Sequence, residues 1–119
     1  MSEACYKTND NEIRQLVKNC ISIFGNNCNL NWIDTSNVTD MSFLFYASDF
    51  NGNISEWDVS NVINMERMFT WSEFNSDISN WNIRIDCNIN TIFNDCLIID
   101  SYKPKQFKIN EAFDFDSIK

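Results

Sequence analysis

The chain repeats itself at a fixed interval, and this restricts its fold more than any other feature of the sequence. Asn37-Val38-Thr39-Asp40-Met41 returns 24 residues later as Asn61-Val62-Ile63-Asn64-Met65. At the same offset Phe45 returns as Phe69 and then Phe93, Ile54 as Ile78, and Trp57 as Trp81. A period of this length falls in the range of leucine-rich-type repeats, whose unit is one strand plus a short helix or 3₁₀ turn.

The pattern inside one unit predicts both parts. In Ile54-x-x-Trp57-x-Val59 the alternation reads as a strand, with Trp57 and Val59 inward and Glu56 and Asp58 toward solvent. Met65, Met68 and Phe69 stand at i, i+3, i+4, the spacing of one apolar helical face. Ser60 and Asn61 lie between them as turn and cap residues. Trp32 precedes Trp57 by 25 rather than 24 residues, which predicts one extra residue, a bulge near Ile33-Asp34. Ahead of the repeats, Ile13, Leu16, Val17, Cys20, Ile21 and Phe24 form one stripe of a helix from Asn9 to Phe24, with Asn9 and Glu12 as a capping pair and Gly25 as its stop. Ser101-Tyr102-Lys103 reads as the last strand, ended by Pro104.

The expected fold is therefore α/β: a short leucine-rich-repeat-like solenoid with ~24-residue repeats and an N-terminal capping helix. One domain spans residues 1–119, with the capping helix at 9–25, repeat units at 30–103 and a C-terminal cap or tail at 104–119. About two and a half repeats, with parallel strands and right-handed crossovers, complete the expectation. Tyr102, Phe107, Phe113 and Phe115 are candidates to cover one open end; an uncovered end predicts self-association.

Composition narrows the function classes. The chain carries 17 Asp and Glu against 9 Lys and Arg, a net charge of −8, which disfavours nucleic acid or an anionic membrane as a partner. It has no His, the commonest general base and metal ligand. Its five Cys show no CxxC pair, so reduced thiols are expected, with Cys20–Cys28 or Cys87–Cys96 pairing only in an oxidising compartment. Cys20 falls on the core position of Leu44, Met68 and Ile92, and Cys96 on the turn position of Ser48 and Ser72. No apolar run is long enough to span a bilayer, and the first residues lack a signal-peptide pattern, so a cytoplasmic location is expected. The many Asn, Asp and Ile read as a compositional bias without mechanistic content.

The run Asn53-Ile54-Ser55-Glu56-Trp57-Asp58-Val59-Ser60-Asn61-Val62, followed by Met65, Met68 and Phe69, resembles the BspA-like leucine-rich repeat surface protein family over about residues 9–107. That resemblance implies binding rather than catalysis, in a family found on bacterial surfaces, in protists and in large DNA viruses, with bacterial members linked to adhesion. The third unit, Trp81 to Ile89, departs from the pattern by lacking the Ser-Asn-Val-Thr stretch.

Two surfaces are candidates for contact with another protein. The first is the solvent side of the expected strands: Asp34, Glu56, Asp58, Asn80, Asn82 and Arg84. The bland alternative is solvated repeat residues, with Asp58 serving a turn. The second is Tyr46 with Trp71, whose repeat equivalents (Thr70 and Asn94; Ala47 and Asp95) are not apolar core types. Local packing of Trp71 on its neighbour is the alternative. No catalytic set, metal site or cofactor motif is found, so the expected function is a non-catalytic protein–protein interaction module, possible homo-oligomer included. A surface adhesin fragment and a structural virion-associated protein are the other readings.

Overall fold

The apolar stripe of the N-terminal segment forms the helix it predicts, but later than Asn9. In the computed structural model, which describes residues 6–107, α1 spans Ile13–Phe24 and buries Ile13, Val17 and Cys20. Asn9 does not cap it directly. Its side-chain oxygen accepts the N–H groups of Asn11 and Glu12 at 2.9 and 3.2 Å, which closes a turn over residues 10–12 before the helix starts. Gly25 ends it, at φ +93° with its N–H donating to the Ile21 carbonyl at 2.8 Å.

The solenoid expectation is overturned. Besides α1, the described residues hold one two-stranded parallel sheet, β1 (Tyr6–Lys7) with β2 (Ile33–Asp34), isolated parallel bridges Asn29–Asn53, Asp40–Asn64 and Asn64–Asn88, one 3₁₀ turn at Asp100–Tyr102 and helical residues at 105–107. After β2 no strand-plus-helix unit recurs at the 24-residue period among them. The segment Ile54–Val59 is not a strand, and Met65–Phe69 is not a helix. Ser101 and Tyr102 belong to the 3₁₀ turn and Lys103 is its C-cap, so the expected last strand is not formed. Phe113 and Phe115, and residues 108–119 of the expected C-terminal cap or tail, lie outside the described residues.

The backbone explains why no helix forms after Met41 or Met65. Alternate N–H groups point sideways: those of Met41, Phe43, Phe45 and Ala47 donate to the carbonyls of Asn64, Glu66, Met68 and Thr70 at 2.8–3.0 Å. Those of Met65, Arg67, Phe69 and Trp71 donate likewise to Asn88, Asn90, Ile92 and Asn94. The intervening groups close i to i+3 turns, as from Leu44 to Met41 and from Tyr46 to Phe43. A helix would need every N–H for its own i−4 carbonyl. To alternate in this way, every fourth residue takes a left-handed conformation: Phe43 and Ala47, Arg67 and Trp71, Thr91 and Asp95, all at φ +52° to +59°. Such a conformation costs a non-glycine residue roughly 1–2 kcal/mol, and the lateral bonds on either side hold it in place.

The period thus survives as lateral contacts between turn segments. Phe45, Phe69 and Phe93 stack with ring centroids 5.5 and 5.6 Å apart, and Phe50 lies 6.2 Å from Phe74. Met41, Met65, Met68, Val38, Val62, Ile54 and Ile78 are fully buried beside them. The indole N–H groups of Trp57 and Trp81 donate to the carbonyls of Leu30 and Ile54 at 2.9 and 3.0 Å, so both rings enter the core without an unmet donor. The bulge predicted near Ile33 is absent as a repeat feature. Ile33, 2% exposed, takes the place that Trp57 and Trp81 take later, and Trp32 is only half-buried.

The Asn and Asp residues have a structural task that composition alone concealed. Asn29 and Asn53, Asp34 and Asp58, and Asp40, Asn64 and Asn88 each accept, through a side-chain oxygen, the N–H of the residue two further on. These Asx turns satisfy backbone donors that a chain without helices or long strands leaves open. At the α1 end, the Asp10 carboxylate accepts the N–H groups of Thr39 and Asp40 and the Thr39 hydroxyl, and the Arg14 guanidinium donates to the Ser42 carbonyl. Burial pushes the Asp10 carboxyl up, but the Thr39 and Asp40 hydrogen bonds outweigh it and hold the group below the usual carboxylate range.

Candidate functional site

Three aromatic side chains gather where the left-handed turns turn outward. Phe43 lies 5.3 Å from Tyr46, and Tyr46 lies 5.7 Å from Trp71, centroid to centroid. Phe43 is 45% and Trp71 59% exposed, and Tyr46 is half-buried. Two of the three occupy left-handed positions, which fixes the directions in which their side chains leave the backbone. Trp71 is anchored further by its indole N–H, which donates to the Asp95 carboxylate at 3.0 Å. The sequence pairing of Tyr46 with Trp71 is met in space, and Phe43 joins them. Spacing gave no notice of Phe43, because its repeat equivalents are Arg67 and Thr91 and the position reads as surface.

Carboxylates stand around this ledge. Asp95 bonds Trp71, and Asp49 and Glu73, both exposed, each come two residues after the last turn residue, Ala47 and Trp71. The Glu73 N–H donates to the Ser48 carbonyl at 3.0 Å, which brings Glu73 beside Asp49. The result is a rigid aromatic surface with an acidic border, able to take cations over its rings and apolar groups between them.

Three of the six residues of the other surface, Asp34, Asp58 and Arg84, are engaged in local hydrogen bonds. Asp34 and Asp58 are occupied as heads of Asx turns, Asp58 also accepting the Ser60 hydroxyl. The hydrogen bonds from Ser36 hold the Asp34 carboxyl below its ordinary range. Arg84 is bound in a fork by Asp86 at 2.8 and 3.0 Å, which lowers the Asp86 carboxyl and raises Arg84. Ile85 between them is fully exposed, and this is where the third unit departs from the repeat pattern. Glu56 is exposed, with its backbone N–H on the Asn31 side chain. Asn80 and Asn82 border a cleft of about 320 Å³ with Lys105 and Gln106. Asn80 also borders a second cleft, of about 490 Å³.

The thiols offer little chemistry. Cys20, Cys28, Cys87 and Cys96 are free, and burial pushes all four above the ordinary thiol value, away from the reactive thiolate. Cys96 departs from the turn role of Ser48 and Ser72, whose hydroxyls accept the N–H groups of Phe50 and Phe74. Its thiol donates instead to the Phe74 carbonyl at 3.3 Å. Among the described residues, no three His, Cys, Asp or Glu side chains are placed to share a metal ion, and no helix is long and apolar enough to cross a membrane.

No curated protein matches the chain, and no solved structure does. One family does match, over residues 11–117, and is described as "Mycoplasma protein of unknown function, DUF285". With nearly the whole chain covered, the protein belongs to that family.

Proposed function

We propose that the chain is a non-catalytic, protein-binding domain of the BspA-like type, and that its contact surface is the ledge of Phe43, Tyr46 and Trp71. The observation that carries this reading is the exposure of Trp71 at 59% while its backbone and indole are both held. A large aromatic ring presented rigidly loses little entropy on binding, and such rings dominate binding energies. The border of Asp49, Glu73 and Asp95 selects the partner's chemistry: Arg or Lys side chains set among apolar ones. The absence of His from the sequence and the raised thiols favour binding over catalysis.

The test is a titration with a peptide of alternating Arg and Leu, against a control of alternating Glu and Leu, followed by tryptophan fluorescence. The basic peptide is expected to bind, and Trp71→Ala to weaken it at least tenfold, roughly the 1.4 kcal/mol or more of an interface anchor. Equal binding by wild type and Trp71→Ala, or by both peptides, would sink the proposal.

A further inference from the structure

The stack of turn segments has one edge without a neighbour. The carbonyls of Asn88, Asn90, Ile92 and Asn94 accept the N–H groups of Met65, Arg67, Phe69 and Trp71 at 2.7–3.2 Å. This third segment repeats the backbone of the second. Thr91 and Asp95 stand at φ +53° and +56°, where Arg67 and Trp71 stand at +53° and +58°. Asn88 heads an Asx turn as Asn64 does. The Ile92, Asn94 and Cys96 N–H groups close i to i+3 turns, as those of Met68, Thr70 and Ser72 do. The alternate donors, the N–H groups of Ile89, Thr91, Phe93 and Asp95, therefore point away from the second segment, and none has a partner among the described residues. Phe107 and Lys103 reach the Phe93 ring, at 5.0 and 5.7 Å, but neither takes its N–H.

A row of donors alone selects what can lie against it. The occupant must bring a row of acceptors, as the carbonyls of a peptide backbone do. A helix spends its carbonyls internally, so the peptide is non-helical. A second copy cannot pair edge to edge, since both copies would offer N–H groups. Nor is the carbonyl edge of the first segment open to it, because Arg14 of α1 already donates to the Ser42 carbonyl there. The open edge also meets the aromatic ledge at one residue. Asp95 adds its N–H to the row, while its carboxylate takes the Trp71 indole N–H at 3.0 Å. A backbone held along Thr91, Phe93 and Asp95 thus runs up to the Trp71 ring, where the Asp95 carboxylate favours a basic side chain.

We infer that this edge holds a non-helical, Arg- or Lys-bearing segment of the partner protein by its backbone carbonyls, with the basic side chain laid on Trp71. The inference rests on the ledge reading above and adds to it the means by which the partner's backbone is held.

The test is amide hydrogen exchange of the ¹⁵N-labelled protein by NMR, alone and with the alternating Arg–Leu and Glu–Leu peptides. In the free protein the N–H groups of Ile89, Thr91, Phe93 and Asp95 are expected to exchange at least tenfold faster than those of Met65, Arg67, Phe69 and Trp71. Saturating Arg–Leu peptide is expected to slow Thr91, Phe93 and Asp95 at least tenfold, over the same concentrations that shift the Trp71 indole signal. An indole shift with no slowing at the edge overturns the inference and leaves the ledge reading standing; no change at either overturns both. Equal slowing by the Glu–Leu peptide overturns the choice of a basic partner. Slow exchange at the edge before any peptide is added also overturns the inference: at every protein concentration it assigns the edge to another part of this chain, and at high concentration alone to a second copy.

Discussion

Gly52 is the position where one methyl group has the largest calculable effect. A Cβ built there would sit 1.9 Å from the Cys28 carbonyl oxygen and 2.6 Å from the Phe50 ring. Phe50 cannot move aside, because it is fully buried and stacked 4.7 Å from Phe45. Ordinary contact begins near 3.4 Å, so two backbone segments must separate by about 1.5 Å. The same segments are joined by bonds from Asn51 N–H to Asn26 at 2.7 Å and from Asn53 N–H to Cys28 at 3.1 Å. Overpacking costs about 1–3 kcal/mol, and each weakened hydrogen bond about 1 kcal/mol. Gly52→Ala is therefore expected to lose about 3–5 kcal/mol, a third or more of the stability of an ordinary domain. Equilibrium urea unfolding, followed by the fluorescence of the four tryptophans, reads this as a midpoint lowered by roughly 2 M at unchanged slope. Gly25→Ala is the control. There the Cβ meets nothing within 4 Å, so the cost is conformational alone, about 1–3 kcal/mol for a side chain at φ 93° and ψ 171°, a region essentially reserved for glycine. If Gly52→Ala loses no more than Gly25→Ala, the tight approach of the two segments is refuted.

Three other substitutions test separate parts of the fold. Thr91→Asn replaces a β-branched residue at φ +53° with one that tolerates this conformation, and is expected to raise the thermal midpoint by a few degrees, about 1 kcal/mol; a lowered midpoint would contradict the left-handed turn. Trp57→Phe leaves the Leu30 carbonyl without its indole donor and should cost about 1–3 kcal/mol in urea unfolding, with Trp81→Phe doing the same at Ile54. Asp10 is held below its ordinary carboxyl value, so the unfolded chain takes up its proton first as pH falls. Its stabilising effect is complete above the ordinary carboxylate value and is lost as pH drops through the lower, folded one. Asp10→Asn should therefore flatten the fall of the urea midpoint with pH in that acid range, and an unchanged slope would remove Asp10 from the account.

How much could be read from the sequence depended on which physical property each residue reported. Burial was legible. Val38 and Val62, Phe45 and Phe69, and Ile54 and Ile78 are in the core because a period of apolar residues records what faces inward, whatever the backbone does between them. Secondary structure was not. Met65, Met68 and Phe69 have helical spacing, but a chain of i to i+3 turns also brings residues three and four apart together. The left-handed residues that distinguish the two are Phe43, Arg67, Trp71 and Thr91, where no glycine gives notice of them. Trp32 misled for a related reason: matching Trp to Trp shifted the register by one, while burial pairs Ile33 with Trp57. At the ledge, Tyr46 and Trp71 stood out because they break the repeat's residue classes. The larger cleft was spelled out by Asn27, Asn51 and Asn75, 24 residues apart, but asparagine is so abundant here that the series was lost in the composition.

Asn51-Gly52 is also a pair with a chemical lifetime. In a loose chain, an Asn-Gly bond is the fastest to deamidate, because the bare glycine nitrogen attacks the neighbouring carboxamide carbon to form a succinimide. Here that carboxamide is tied to Asn75 and Ser76, and the Gly52 backbone lies buried against Cys28. Ring closure has to wait for both bonds to open, so the ageing of this one amide is a slow clock of local unfolding. Its conversion to aspartate would put a negative charge where the Asn75 N–H finds its acceptor. An old preparation of the protein, sorted by charge, would carry in its acidic fraction a record of how often the turns around Gly52 had come apart.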